Sequence, residues 1–159
     1  MSTTVRSLRH AWSTLQPLAP EEVIGDLEAS FVAPLRTVAP WGLGLVGLPR
    51  WYGKRFGADH ATGPGSQTVR GVNLVRDSSA GLREVLPIQL SVGTSLADGG
   101  LALVVSYAAD APRPWRWVRD ELRGAPDGTI VGMTFVDRPL LRRVGAPFLL
   151  TRVAASSRR

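Results

Sequence analysis

The chain has 159 residues, of which 44% are hydrophobic and 20% are charged, and its formal net charge is +6. A chain of this length and composition predicts a single domain with its own hydrophobic core. It contains no cysteine, which excludes disulfides, thiolate metal sites and thiol catalysis.

The distribution of charged and apolar residues limits the partners of the protein. The basic residues are spread from Arg6 to Arg159 rather than gathered on one stripe, which argues against nucleic-acid binding. Residues 1–12 contain no apolar stretch of signal-peptide length. The most apolar run, residues 38–48, is far shorter than the ~20 residues needed to cross a bilayer. We therefore expect a cytoplasmic protein without integral membrane association.

Residues 1–48 predict a helical cover followed by a connector. Four apolar residues at helical spacing between residues 5 and 15 predict a first helix, which Pro17 ends. Residues 19–27 predict a second short helix, because a proline and two acids open it and three apolar residues form its face. Residues 31–49 contain three prolines and three glycines, so they predict a connector with one helical turn.

Residues 50–153 predict a β-barrel, and the fold class is α+β, mainly β. Turn residues separate short segments rich in β-branched and aromatic residues, and Asp98-Gly99-Gly100 is the clearest hairpin signal. No segment between them is long enough for a crossover helix, so the strands should pair antiparallel in sequence order and close into a barrel. Residues 154–159 predict a flexible tail. The seven predicted strands are residues 50–56, 67–76, 82–96, 101–107, 115–123, 130–136 and 147–153.

Three segments carry a resemblance to a known family. Residues 51–56 (WYGKRF), 15–25 (LQPLAPEEVIG) and 122–133 (LRGAPDGTIVGM) resemble segments of the bacterial GXWXG family, uncharacterised proteins with lipocalin-like barrels. The motif that names the family is degenerate here, because residues 25–29 are GDLEA and keep only the first glycine. The resemblance implies an antiparallel calycin (lipocalin-like) barrel, and it implies no catalytic residues.

Motifs for cofactor and metal chemistry are absent from the sequence. There is no HExxH and no GxxxxGKS/T, and the GxGxxG spacing at residues 42–47 has prolines on both sides and no βαβ unit after it. The two histidines, His10 and His60, lie fifty residues apart, so a metal site would have to borrow carboxylates from scattered loops. We expect no cofactor and no metal.

Residues 115–123 predict most of the candidate site. Alternate side chains of a strand share a face, so both tryptophans, Arg119, Glu121 and Arg123 would lie on one side. If that side faces the lumen, the indoles form an apolar wall and the charges hold a polar head group. Alternatively, the tryptophans are core residues and the charges pair on a solvated surface. The residues predicted to bind the ligand are Tyr52, Lys54, Tyr107, Trp115, Trp117, Arg119 and Glu121.

Three functions stay open. The first is binding of a hydrophobic small molecule, fatty-acid-like or polyketide-like, inside the barrel. The second is a cofactor-independent cyclase or isomerase that acts on such a molecule in the same cavity, with Glu121 or Glu84 as acid or base. The third is an interaction module that uses residues 38–48 as an apolar patch. This segment, or an exposed barrel edge, could also support a homodimer.

Overall fold

Eight strands, each hydrogen-bonded to the strand that follows it in sequence, close into one antiparallel barrel. The computed structural model describes residues 3–60 and 68–154, so residues 155–159 of the predicted tail lie outside the described residues. The predicted antiparallel, mainly β barrel is confirmed, with eight strands in place of seven. The strands are β1 (Gly25–Ser30), β2 (Trp51–His60), β3 (Val69–Arg76), β4 (Leu82–Thr94), β5 (Leu101–Tyr107), β6 (Val118–Gly124), β7 (Ile130–Val136) and β8 (Ala146–Arg152).

Apolar side chains fill one half of the barrel lumen. Leu27 near the start of β1, Phe56 in the second half of β2 and Ile130 at the start of β7 belong to one buried cluster. All three lie toward the same end of the barrel, because neighbouring strands run in opposite directions. The core therefore occupies that end, and the other half of the lumen is free to hold the candidate site.

The second predicted helix, residues 19–27, does not form as an α-helix, because strand β1 begins inside it at Gly25. A 3₁₀ turn, Pro20–Val23, does open the segment. Gly25 then has a φ of +105°, which is incompatible with a continuing right-handed helix and available to glycine at low cost. Leu27 is fully buried and Glu28 is exposed, as strand alternation requires. Pairing of β1 with both β2 and β8 closes the barrel and decides the conformation of this segment.

The first predicted helix is present as α1 (Val5–Ala11), although it ends before residue 15. Thr4 caps its first turn. Leu8 and Trp12 are buried against outward-facing side chains of the barrel, among them Met133 of β7. Helix α1 therefore covers the side wall of the barrel.

A second helix, α2 (Leu35–Leu45), lies in the segment predicted to be a connector. It forms despite Pro40, although a proline in a helix interior ordinarily costs about 3 kcal/mol or more. Leu35, Ala39 and Leu43 lie on one face of the helix and pack toward the lumen, which offsets this cost. Across residues 3–60 and 68–154, neither helix is long and apolar enough to cross a bilayer.

Candidate functional site

A cavity of about 260 Å³ occupies the half of the lumen that the core leaves open. The β1–β2 connection, which includes α2, forms one side of it, and the strands and Trp115 of the β5–β6 connection form the rest. Its wall is mostly apolar, with a small polar group where the cavity meets the core. The polar lining residues are Lys54, Tyr107, Asp120 and Thr134. The apolar lining residues are Phe31, Leu35, Ala39, Leu43, Leu48, Trp51, Trp115, Ala146, Pro147 and Phe148.

The polar group is built around a buried ion pair. Nζ of Lys54 is 2.8 Å from Oδ2 of Asp120, and the two side chains are 1% and 5% exposed. The other carboxylate oxygen, Oδ1, accepts a hydrogen bond of 2.7 Å from the hydroxyl of Thr134. Burial disfavours the charged ammonium, but the interactions of Lys54 with Asp120 and Tyr107 together outweigh this effect, and the pKa of Lys54 lies above its usual value. Lys54 therefore stays protonated at neutral pH.

Asn73 connects this ion pair to Tyr107. Its Oδ1 accepts hydrogen bonds from Nζ of Lys54 at 3.1 Å and from Nε1 of Trp51 at 3.2 Å. Its Nδ2 donates to the Tyr107 hydroxyl at 3.3 Å and to the Leu86 carbonyl at 3.2 Å. Burial raises the pKa of Tyr107, so the hydroxyl keeps its proton at neutral pH. That hydroxyl donates no hydrogen bond to another described residue, which leaves its proton available to an acceptor in the cavity.

A β-bulge in β2 brings two of these side chains into the lumen. The register between β2 and β3 shifts between Trp51 and Gly53, so Trp51 and Lys54 both line the cavity although they are three residues apart. Tyr52 lies on the outer wall, where the guanidinium of Arg76 is 4.6 Å from its ring centroid. By strict alternation Tyr52 and Lys54 would share a face, and the bulge separates them.

The two tryptophans do not share the strand face predicted for residues 115–123, because the strand begins three residues later than predicted. Arg119, Glu121 and Arg123, by contrast, do lie on one side of the strand. Trp115–Trp117 form a 3₁₀ turn, and β6 starts at Val118. The inward face of β6 therefore carries Asp120, which lines the cavity. The side chain of Glu121 lies on the outer face, opposite Met133 of the outer-wall cluster.

The two tryptophans of this turn have different surroundings. Trp115 lines the cavity, and its Nε1 donates a hydrogen bond of 2.6 Å to the carbonyl of Val46, which ties the turn to the end of α2. Trp117 is not among the lining residues. The guanidinium of Arg138 lies 3.6 Å from its ring centroid, so this indole packs under a cation near the rim of the barrel.

Arg119 and Glu121 form a separate polar cluster on the outer wall. Oε1 of the fully buried Glu121 accepts hydrogen bonds from the backbone N–H of Leu96 at 2.7 Å and from Nε of Arg119 at 3.0 Å. These contacts hold the β4–β5 turn against β6, away from the cavity. Glu84, the other acid considered from sequence, is exposed and pairs with Arg55 at 2.7 Å. The predicted residues that line the cavity are Lys54, Tyr107 and Trp115.

Sequence reasoning missed three polar residues of the site, Asn73, Asp120 and Thr134. Asp120 had one usable signal, since Val118 and Leu122 flank it two residues away on each side and place it on an otherwise apolar face. Asn73 and Thr134 carry no comparable signal. Polar residues of these types are common on exposed strand faces, and only the register of the folded barrel directs them inward.

The fold and the site define a closed eight-stranded antiparallel barrel whose lumen is half core and half cavity. No protein-family model and no curated protein matches the sequence. A crystal structure of a protein from Thermomonospora curvata is similar to it, with a TM-score of 0.69 and 17% sequence identity. The match covers 96% of this chain and 89% of that chain. At this identity the likeness shows the fold alone.

Proposed function

We propose that this protein binds a compact hydrophobic small molecule in the barrel cavity, with one hydrogen-bond acceptor of the ligand at the Tyr107 hydroxyl. The observation that carries the proposal is an apolar wall that surrounds a few buried polar groups, the usual composition of a ligand site. The cavity, about 260 Å³, is larger than the ~150 Å³ that holds benzene. Ligand pockets range from roughly 300 to 1,000 Å³. Among fatty-acid-like and polyketide-like molecules, this size favours short or compact ones.

The polar groups favour a ligand without net charge. Lys54 and Asp120 already neutralise each other, and the Thr134 hydroxyl engages the second carboxylate oxygen. A charged ligand would add an uncompensated charge to a desolvated site, which is unfavourable. A carbonyl, ester or hydroxyl oxygen needs only one donor, and the free proton of Tyr107 supplies it.

The same geometry favours binding over the alternative, a cyclase or isomerase. A general base must have an oxygen or nitrogen available to the substrate proton. Both oxygens of Asp120 are engaged by Lys54 and Thr134, and Lys54 is protonated because its pKa is raised. Tyr107, whose pKa burial raises, is a poor acid. We therefore propose binding without turnover.

The proposal extends to the fold family and to the cover. An up-and-down barrel of eight strands around one ligand is the lipocalin architecture, which supports assignment to the calycins and agrees with the resemblance to the GXWXG family. The sequence predicts that N-terminal helices cover the barrel, and we propose that α2 is the helix that covers the cavity. This proposal is supported by Leu35 and Leu43 of α2, which line the cavity at the end of the barrel.

Two probes of similar shape test the site. Butyrophenone has a ketone oxygen, whereas butylbenzene has no acceptor. We expect Tyr107→Phe to weaken butyrophenone binding about 2- to 12-fold, the net contribution of one hydrogen bond of roughly 0.5–1.5 kcal/mol, and to leave butylbenzene binding unchanged. Isothermal titration calorimetry measures both affinities. Equal weakening of the two probes would contradict a role for the hydroxyl.

A pair of variants on α2 tests the location. Ala39 lines the cavity, whereas its neighbour Val38 is 58% exposed. We expect Ala39→Trp to fill the cavity and abolish binding of both probes, and Val38→Trp to leave binding intact. Retention of binding by Ala39→Trp, or failure of the unsubstituted protein to bind either probe, would overturn the proposal.

A further inference from the structure

The connections between strands alternate between the two ends of the barrel, because every strand runs antiparallel to its neighbours. We call one end the cavity end, since its connections supply cavity-lining residues such as Leu43 and Trp115. The cavity-end connections are residues 31–50, 77–81, 108–117 and 137–145.

Charge differs sharply between the two ends. Among the described residues, the cavity-end connections contain seven arginines and three aspartates, which leaves +4 of the chain's net +6 at this end. In the described part of the chain, the opposite-end connections between strands contain two acidic residues, Asp98 and Asp127, and neither arginine nor lysine. Arg152, the last residue of β8, adds one positive charge there. The cavity-end arginines, all exposed, are Arg36, Arg50, Arg113, Arg116, Arg138, Arg142 and Arg143.

The cavity end also exposes apolar side chains. Of the ten large hydrophobic residues that are exposed in the described chain, six lie at this end, in two connections. Trp41 is 74% exposed and Leu140 is 88% exposed. Such a concentration of exposed apolar side chains marks an interaction surface. The six residues are Val38, Trp41 and Leu45 of α2 and Leu140, Leu141 and Val144 of the β7–β8 connection.

We propose that the cavity end docks on an anionic lipid surface, with the exposed apolar side chains of α2 and those of Leu140 and Leu141 in the membrane interface and the arginines around them at the head groups. Val144 and Arg143 line a hollow on the side wall beside Arg9 and Met133, so they lie outside this docking surface. Exposed apolar residues beside basic ones, with a tryptophan among them, are typical of segments that lie in the interface. The basic residues attract anionic lipids. A second copy of this chain fits less well, because a symmetric dimer through this end would oppose the exposed arginines of one copy to those of the other.

Co-sedimentation with vesicles tests the electrostatic part. The protein should bind vesicles of phosphatidylserine and phosphatidylcholine in equal parts, bind phosphatidylcholine vesicles weakly, and dissociate as salt rises. One basic residue near an anionic surface contributes a factor of about five, so Arg36→Gln/Arg50→Gln, which removes two exposed charges from the connection that contains α2, should lower the partition coefficient on the order of 30-fold. The matched control, Arg70→Gln/Arg152→Gln, makes the same charge change on the outer wall and at the opposite end and should bind like the unsubstituted protein.

Trp41 tests which surface inserts. The tryptophan emission should shift to shorter wavelength on phosphatidylserine-containing vesicles. Most of this shift should disappear in Trp41→Phe, which keeps the apolar character and therefore most of the binding. A shift that survives in Trp41→Phe would overturn the insertion of α2.

Two results would overturn the docking proposal as a whole. One is failure to bind phosphatidylserine-containing vesicles at low ionic strength, as expected if the surface fits an acidic protein instead. The other is equal weakening by the two double variants. The docking proposal stands independently of the ligand proposal, because butyrophenone titration without vesicles reports on the cavity alone. If the protein binds butyrophenone but not the vesicles, only the docking proposal is refuted. If it binds the vesicles but not butyrophenone, only the ligand proposal is refuted.

Discussion

The buried ion pair makes Lys54→Met an informative substitution for stability. Methionine keeps a long unbranched chain and removes the charge. The variant leaves the carboxylate of Asp120, which is 5% exposed, with only the hydrogen bond from Thr134, and it removes one of two donors to Asn73. Removal of one partner of a buried pair costs about 3–5 kcal/mol. That is a large share of the roughly 5–15 kcal/mol that keeps a domain folded.

The double variant Lys54→Met/Asp120→Leu is the matched control. Asp120→Leu alone should also be costly, because it leaves a buried ammonium without its counter-charge. The double variant leaves no uncompensated charge, and replacement of a buried pair by apolar residues is often neutral or stabilising by about 1–4 kcal/mol. The double variant should therefore recover most of the stability that either single variant loses.

Urea unfolding at neutral pH, followed by tryptophan fluorescence, measures these free energies from the midpoint and slope of each transition. The expected order of stability places the unsubstituted protein and the double variant well above both single variants. A loss of less than about 1 kcal/mol for Lys54→Met, the value of an exposed ion pair, would refute the argument that this pair is desolvated. So would a double variant whose loss equals the sum of the two single losses.

Two further predictions concern packing and pH. A Cβ at Gly53 would lie 1.8 Å from the Leu27 carbonyl oxygen, so Gly53→Ala should separate β1 from β2 and cost about 1–3 kcal/mol. A Cβ at Gly42 would have no neighbouring atom within 4 Å, so Gly42→Ala should raise the free energy of unfolding by up to about 1 kcal/mol through helix propensity. Equal effects of the two variants on thermal unfolding would contradict the tight contact at Gly53. Hydrogen bonds from Arg123 hold the pKa of Asp98 below its ordinary 3.8, so the stability it contributes is present above that pH and is lost as the pH falls through the folded-state pKa. Asp98→Asn should therefore reduce the loss of unfolding free energy on acidification, and an unchanged pH profile in urea unfolding would refute this role.

Local signals were sufficient to predict most strands of the barrel. The predictions for residues 101–107 and 130–136 match β5 and β7 to the residue. Both strands are short apolar runs that follow a turn, Asp98-Gly99-Gly100 before β5 and Asp127-Gly128 before β7. Turn residues of this kind predict the position of a turn from the local sequence alone. The antiparallel topology then follows from the short connections.

Tertiary contacts determine the two elements that were predicted wrongly. β1 contains a single fully buried apolar residue, Leu27, and its strand conformation depends on hydrogen bonds to β2 and β8. α2 contains Pro40 and two glycines, which predict poor helix formation, and its apolar face becomes favourable only where the open end of the lumen receives it. Neither environment can be inferred from a window of neighbouring residues.

The sequence position of Lys54 predicts, in part, which acidic residue forms the ion pair with it. Lys54 is the single lysine of the chain, it lies in a segment of β-type pattern, and a lysine that is buried requires an acid beside it. Within the predicted strands, two acidic residues, Glu84 and Asp120, have apolar residues two positions away on both sides, as an inward-facing acid would. The β3–β4 register shifts beside Leu86, and Glu84 pairs on the outer wall with Arg55. The sequence pattern therefore reduces the possible partners of Lys54 to two residues. The β-bulges of the folded sheet then decide which acid faces the lumen, and that acid is Asp120.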